Sequence, residues 1–268
     1  MMSVESAHGP LVLRSLSQGP ENIPALSDER GTVRPRVSQT YVRLAVAFLA
    51  WLVVAGAAQA ADASEAWPEV SFYKDLSPQT RLFLNAAYAE GKESDTRSLD
   101  LAAYLDVSLK PFRKKLQTED WQGNRYFWMR IGYDRIFKAT DDEAAEVSED
   151  RGIVSFHANA QVPAQIILEA RVRADLRWIG DDYSTRYRFR LEANREFTVR
   201  GHKVVPYFNI EWFYDTRYDG WARTLYKLGP TITAGPHFRY EIYVAHQEDR
   251  LPSKSDLDAL GLNLKWYY

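Results

Sequence analysis

Residues 166–197 read IILEARVRADLRWIGDDYSTRYRFRLEANREF, and they contain the most regular pattern in the chain. From Ile166 to Trp178 apolar and polar residues alternate strictly, and after a polar corner the alternation restarts at Tyr183. Successive side chains of a strand point to opposite faces of a sheet. The pattern therefore predicts a hairpin of two long strands, each with one apolar face and one face rich in arginine.

The length of these strands distinguishes a membrane protein from a soluble one. A half-exposed strand pair in a soluble sandwich would show the same alternation. Each run spans about a dozen residues, whereas soluble strands usually have ~5–6 and tilted bilayer-crossing strands need ~9–11. Tyr and Trp also lie near the ends of the apolar rows, as at a membrane interface. We therefore predict a transmembrane barrel hairpin whose arginines line the lumen.

The composition excludes several classes of function. The chain has 268 residues with 36 acidic and 34 basic side chains, a nearly neutral balance that gives no reason to expect a nucleic-acid partner. Cysteine is absent, which excludes disulfides, thiol catalysis, cysteine-ligated metals and a lipid-modified N-terminal cysteine. Aromatic residues are abundant, with 16 Tyr, 12 Phe and 8 Trp, as a set of alternating strands with aromatic girdles would require.

The N-terminal region predicts secretion. Residues 1–40 show no periodicity, and arginines then precede an apolar run at residues 44–55. The following small residues fit a signal-peptidase site at Ala58 and Ala60, with Ala61 as the mature start. A transmembrane helix is the alternative, but the apolar run is shorter than the ~18–20 residues that such a helix needs. We expect a lead-in and signal peptide over residues 1–60 and localisation of the mature chain in the bacterial outer membrane.

Alternating runs continue to the end of the chain and predict ten strands within residues 81–268. Besides the hairpin, the predicted strands occupy residues 81–89, 98–109, 124–137, 153–162, 204–215, 222–234, 237–247 and 257–268. Residues 61–80 are either a periplasmic segment or a short first strand, and a full strand there together with one more nearby would raise the count to twelve. The predicted fold class is all-β, an antiparallel up-and-down transmembrane barrel of about 10–12 strands.

The connections between these strands fall into two groups if both termini are periplasmic. Residues 163–165, 200–203 and 235–236 are then short periplasmic connections, while an acidic connection at residues 138–150 and another at 247–256 lie outside. Short periplasmic turns and longer external loops are typical of bacterial outer-membrane barrels. A long basic connection at residues 111–123 departs from this arrangement.

The C-terminal residues resemble a known assembly signal. The chain ends LGLNLKWYY, and the spacing of Leu264, Trp266 and the final Tyr268 is similar to the terminal-strand signal of Gram-negative barrels. With the strings WPE (67–69), DLRW (175–178) and YRFR (187–190), the mature chain resembles an uncharacterised bacterial family, the domain of unknown function numbered 2490. The resemblance implies an outer-membrane β-barrel but no activity. Outer-membrane lipid, periplasmic chaperones and the barrel-assembly machinery are the partners expected for such a barrel.

Charge is concentrated on the predicted lumen face. One interpretation is a cationic constriction that selects anions. The other is an ion-pair network that fills a narrow barrel, and it is favoured because buried charges are tolerated only when paired. The predicted network comprises Glu169, Arg171, Arg173, Asp175, Arg177, Arg186, Arg188, Arg190, Glu192, Glu211, Arg223, Arg239 and Glu241.

The sequence gives little support for an enzyme. Ser155 and His157 share the inward face of one predicted strand, but we expect them to lie too far apart for a reliable hydrogen bond. The histidines lack metal-ligand spacing, and the acidic connection lacks the pattern of a calcium loop. We predict a non-enzymatic protein without metal or cofactor, serving envelope structure or limited passage of a small solute. An anion-preferring channel and a secreted periplasmic ligand carrier, which would need an apolar interior and a polar exterior, are the alternatives.

Overall fold

The computed structural model describes residues 65–91, 96–108, 125–140, 147–250 and 256–268, and these residues are almost entirely strand. The strands are β1 (Glu65–Asp75), β2 (Thr80–Gly91), β3 (Thr96–Ser108), β4 (Phe127–Thr140), β5 (Val147–Val162), β6 (Ile166–Ile179), β7 (Asp182–Asn194), β8 (Phe197–Val199), β9 (His202–Asp215), β10 (Gly220–Thr233), β11 (Phe238–Asp249) and β12 (Leu257–Tyr267). No helix in this part of the chain is long and apolar enough to cross a membrane. The predicted signal peptide with Ala58, Ala60 and Ala61, and the basic connection at 111–123, lie outside the described residues.

The strands form a closed β-barrel, which confirms the predicted all-β barrel. Strands β1 to β7 pair in chain order, β7 pairs with β9, and the ring continues through β10, β11 and β12 back to β1. Within the described residues the ring has eleven strands, because β8 pairs only with β9 as a short extension beyond β7. The strand count therefore lies inside the predicted range, but it is odd.

An odd count changes how the barrel closes. In an up-and-down ring with an odd number of strands, the first and the last strand must run in the same direction. β1 and β12 accordingly pair in parallel, with Glu65 opposite Ala259 and Tyr73 opposite Tyr267. Antiparallel pairing holds for the other strand pairs of the described ring. Residues 65–75 are thus a full barrel strand, and β1 begins at the end of the barrel opposite to the end where β12 finishes.

The barrel has two ends, which we call the Gly180 end and the Gly235 end after a glycine in one turn at each end. The Gly180 end contains the β6–β7 turn and the β9–β10 turn at residues 216–219. The Gly235 end contains the β5–β6 turn Pro163–Gln165, the β10–β11 turn, and the last residues of β12. The short connections that the sequence grouped on one side do lie together, at the Gly235 end.

The two faces of the barrel wall have the polarity that the alternation predicts. On β6, Val172 is 48% exposed on the outer face, whereas the inward-facing Asp175 of the same strand is 0% exposed. The same contrast recurs around the ring, so the outer wall is apolar and the interior is charged. The exposed large apolar side chains include Val70, Leu84, Leu101, Ile131, Val154, Phe156, Leu168, Phe189, Leu191, Phe208, Ile242, Leu260, Leu262 and Leu264.

Aromatic pairs lie on the outer wall near both ends. At the Gly180 end, the ring centroids of Trp178 and Tyr183 are 5.4 Å apart. Phe238 and Trp266 form an edge-on pair at the Gly235 end, with centroids 6.3 Å apart. Trp178 and Trp266 are 43% and 49% exposed, so these rings face outward rather than into the lumen. Their positions agree with two aromatic girdles that flank an apolar band.

A row of stacked rings crosses the parallel closure inside the lumen. The Tyr267 and Tyr73 rings, on β12 and β1, are stacked with centroids 4.7 Å apart. The row continues from Tyr73 to Phe83 on β2 at 4.5 Å and from Phe83 to Tyr104 on β3 at 5.1 Å. Stacked aromatic pairs contribute about 0.5–1.5 kcal/mol beyond their buried area. The row therefore stabilises the one junction in the ring that lacks antiparallel pairing.

Candidate functional site in the charged lumen

In the middle of the lumen, arginines on two neighbouring strands face each other. The register places Arg173 directly opposite Arg188, and Arg171 directly opposite Arg190, on β6 and β7. Like charges directly opposite each other destabilise a sheet unless carboxylates lie between them. Glu211 on β9 supplies one, since its Oε1 accepts hydrogen bonds from Arg171 Nη2 at 2.5 Å and from Arg188 Nε at 2.6 Å.

Asp175 supplies the second carboxylate of this middle layer. Its Oδ1 accepts a hydrogen bond from Arg173 Nε, and its Oδ2 lies 3.7 Å from Arg188 Nη1. Asp175 is fully buried and Glu211 is 3% exposed. Arg171, Arg173, Arg188, Asp175 and Glu211 therefore form one connected set of ion pairs around two buried carboxylates, which we call the middle lattice.

A second group of ion pairs lies toward the Gly180 end. Arg177 donates to both Glu149 and Asp215, the latter at 2.5 Å, and each carboxylate is fully buried. Arg151 Nε also donates to Glu149, at 2.6 Å, and Arg186 donates to Asp215 Oδ2 at 3.0 Å. Each buried carboxylate thus accepts hydrogen bonds from two guanidinium groups, an arrangement that compensates the cost of removing it from water.

The remaining predicted network residues lie outside these two groups of ion pairs. Arg190 donates to Glu169 and lies 3.8 Å from Glu192, which accepts from Asn194 at 3.2 Å. The other three members of the predicted network also have partners. Arg223 pairs with Asp249 at 3.1 Å, Glu241 pairs with Lys265 at 2.5 Å, and the Arg239 guanidinium lies over the Tyr267 ring at 4.3 Å.

Several lumen residues were not included in the predicted network. Glu149 was assigned to an external acidic connection over residues 138–150, but β5 begins at Val147 and places Glu149 inside the barrel. The signal was present, because Glu149, Arg151 and Ile153 follow the same inward alternation as the rest of β5. Asp106, which accepts from Arg81 at 2.8 Å and from Arg130 at 2.6 Å, was also missing from the predicted network.

The expectation for Ser155 and His157 was wrong. Ser155 Oγ lies 3.0 Å from His157 Nε2, and His157 Nδ1 lies 3.3 Å from Glu169 Oε1 on the neighbouring strand. Residues two apart on a strand share a face, and the imidazole here is long enough to reach back to the hydroxyl. The Trp128 ring stacks on the imidazole at 3.5 Å and fixes its plane. The result is a Ser–His–Glu row within the lumen.

This row is poorly placed for nucleophilic catalysis. Ser155 is 1% exposed. It does not line the central lumen cavity of about 410 Å³ or the cavity of about 330 Å³ at the Gly180 end. On the adjacent strands the residues directly opposite Ser155 are Arg130 and Arg173. A substrate carbonyl would need to come within about 3 Å of the serine oxygen. The row instead satisfies the polar atoms of three buried side chains.

Described residues line two cavities in the lumen. A central cavity of about 410 Å³ is lined by eight basic and seven acidic side chains, including the middle-lattice arginines. A second cavity of about 330 Å³ lies at the Gly180 end and is lined by six basic but only two acidic side chains. Asp100 and Arg151 line both cavities and therefore lie where the two cavities adjoin. Among the described residues, no group of three or more His, Asp or Glu side chains is arranged to hold a metal ion.

Fold and lumen together define a closed β-barrel with an ionised interior. The chain belongs to the family described as "Protein of unknown function (DUF2490)", whose model matches residues 64–258. Among solved structures, it is similar to the beta domain of the Bordetella autotransporter BrkA at 12% identity and a TM-score of 0.43, covering 69% of this chain and 81% of that one. A comparison with curated proteins finds no match.

Proposed function

We propose that the protein is an integral outer-membrane β-barrel whose lumen is closed by the ion-pair network, and that it serves envelope structure or limited passage of a small solute without catalysis. The observation that supports this most directly is the reversed polarity of the wall. Soluble monomers rarely expose large continuous apolar patches, and they bury few charges. Here Leu191 and Leu168 are 53% and 43% exposed, while Asp175, Asp215 and Glu149 are fully buried.

The same observation argues against a secreted ligand carrier. Such a carrier needs an apolar interior to hold its ligand and a polar exterior to stay in solution. The strands are also long, with β6 and β9 at 14 residues each, where a tilted bilayer-crossing strand needs ~9–11. Outer-membrane lipid is therefore the surrounding that best matches the exposed wall, and chaperones with the barrel-assembly machinery are the partners proposed for its insertion.

Cell fractionation tests this proposal. We expect the mature chain in the outer-membrane fraction, soluble only with detergent, because the apolar wall must remain covered. A folded barrel should also migrate differently on gels before and after boiling. Recovery of the folded chain from the soluble periplasmic fraction without detergent would contradict the proposal.

Planar-bilayer recording tests whether the lumen is closed. We expect the wild-type barrel to give no open-state current, or a very small one, because the lattice arginines project into the lumen and are paired there with carboxylates. An anion-preferring channel is the second candidate, and eight basic side chains around the central cavity favour it. That candidate predicts discrete anion-selective currents, with a reversal potential that shifts when Arg173, Arg188 and Arg190 are neutralised.

A further inference from the structure

The cavity at the Gly180 end differs in charge from the rest of the lumen. We infer that this cavity, here called the basic vestibule, is a binding site for a small soluble anion that carries phosphate or carboxylate groups. Its basic residues are Lys138, Arg151, Arg177, Arg186, Arg217 and Arg223, against the two acidic residues Asp100 and Asp249. The central cavity, with eight basic and seven acidic side chains, has no comparable excess.

The buried carboxylates near the vestibule do not cancel its surface charge. Glu149 and Asp215 are fully buried and absent from the cavity lining, so they lie behind the guanidinium groups rather than in front of them. Arg186 uses Nε and Nη2 on Asp215, at 3.2 and 3.0 Å, and its Nη1 has no hydrogen bond to any residue that the structure describes. The carboxylates therefore hold the arginines in place and leave donors that face the cavity.

Arg217 adds a cation whose side chain is exposed and is not paired with any described residue. It lies in the turn between β9 and β10, and its backbone N–H donates to Asp215 Oδ1 at 3.0 Å, which fixes the turn against the charged cluster. Within the described parts of the chain, its side chain forms no ion pair. Lys138 is 44% exposed and lies 3.4 Å from Glu149, so its ammonium group also remains accessible. Two cations at the rim are thus available to a ligand.

The geometry indicates the chemistry of the ligand. Guanidinium groups bind phosphate and carboxylate oxygens through paired N–H donors, and several of them together favour a ligand with more than one negative charge. A volume of about 330 Å³ lies at the lower end of small-molecule sites, which are usually ~300–1,000 Å³. Phe213 and Tyr218 contribute aromatic surface beside the cations. The vestibule lies within the lumen and not on the lipid-facing wall, so a soluble ligand fits better than a lipid headgroup.

Calorimetry on the purified, folded barrel in detergent tests this site, with pyrophosphate as the probe. We expect wild-type protein to bind pyrophosphate and the double variant Lys138→Gln/Arg217→Gln to bind about tenfold more weakly, because two rim charges are lost. Both side chains are at least partly exposed, so the variant should fold. Arg200→Gln is the matched control, since it removes an exposed arginine from a turn at the Gly235 end and should leave binding unchanged.

Three results of the pyrophosphate titration would overturn the inference. They are absence of pyrophosphate binding by wild-type barrel that is folded, an equal loss in Arg200→Gln, and unchanged affinity in the double variant. In a parallel titration, micelles containing an anionic phospholipid replace pyrophosphate. Selective loss of that interaction alone in the double variant would identify a lipid headgroup and overturn the soluble-ligand assignment. Because the measurement uses folded protein in detergent, its failure would not affect the proposed membrane location or the closed lumen.

Discussion

Replacing Glu211 by glutamine is expected to lower the free energy of unfolding by about 3–5 kcal/mol, because one buried and one partly buried guanidinium group lose their common counter-charge. Glu211 Oε1 accepts from Arg171 at 2.5 Å and from Arg188 at 2.6 Å. Glutamine has nearly the same volume, so the change removes charge without opening a cavity. Arg171 is affected most, since Arg188 still has Asp175 within 3.7 Å.

Urea unfolding of the refolded barrel measures this effect, and an exposed ion pair provides the control. Glu90 pairs with Arg97 at 3.2 Å, but the two side chains are 50% and 57% exposed. Glu90→Gln should therefore cost only about 0–1 kcal/mol. Equal losses for Glu211→Gln and Glu90→Gln would show that the lumen charges are solvated rather than locked in pairs, and would favour an open, water-filled lumen.

The same contacts explain why Arg173→Ala should cost less than Glu211→Gln. Removing Arg173 leaves Asp175 buried, but Arg188 Nη1 already lies 3.7 Å from Asp175 Oδ2 and can replace part of the lost interaction. In the middle lattice each carboxylate serves two arginines, so loss of a carboxylate affects more partners than loss of one arginine. Such a lattice is suited to closing the lumen, because each of its three arginines is already paired with a carboxylate of the barrel wall.

The sequence predicted the two faces of the wall well because alternation is a local property. The strand positions of Val172 and Arg173 follow from period two alone, and the β6–β7 register follows from a short turn. The closure could not be predicted in this way. Whether residues 65–75 complete the ring depends on pairing with β12, nearly two hundred residues away, and no local pattern specifies a parallel partner.

A local sequence pattern also could not predict the individual side-chain contacts in the lumen. Glu149 was misplaced because five acidic neighbours between residues 141 and 150 resemble a solvated loop, although its strand alternation was intact. The Ser155–His157 contact depends on side-chain rotamers, which spacing does not determine. The pairing between carboxylates and arginines depends on the relative stagger of β6, β7 and β9. Glu211 shows this, because it accepts hydrogen bonds from arginines on two different strands.

Arginine substitutions on the outer wall test whether this wall faces lipid. Val172 and Phe189 are directly opposite each other on β6 and β7, at mid-strand, and are 48% and 37% exposed. If they lie at the bilayer midplane, Val172→Arg or Phe189→Arg should each cost about 2–4 kcal/mol, because a charge must enter hydrocarbon. In water the same exposed positions would accept arginine with a change within about 0.5 kcal/mol.

Unfolding in phospholipid vesicles measures these costs, and depth provides the internal control. Ala193 lies on the same outer row of β7, opposite Leu168 and nearer the Gly235 end. Ala193→Arg should therefore cost less, about 0–1 kcal/mol near the interface. Two outcomes would contradict a lipid-facing wall: equal tolerance of arginine at the three positions, or a larger cost at Ala193 than at Val172. The ranking, rather than any single value, carries the test, because a merely structural role for Val172 would not depend on depth in the bilayer.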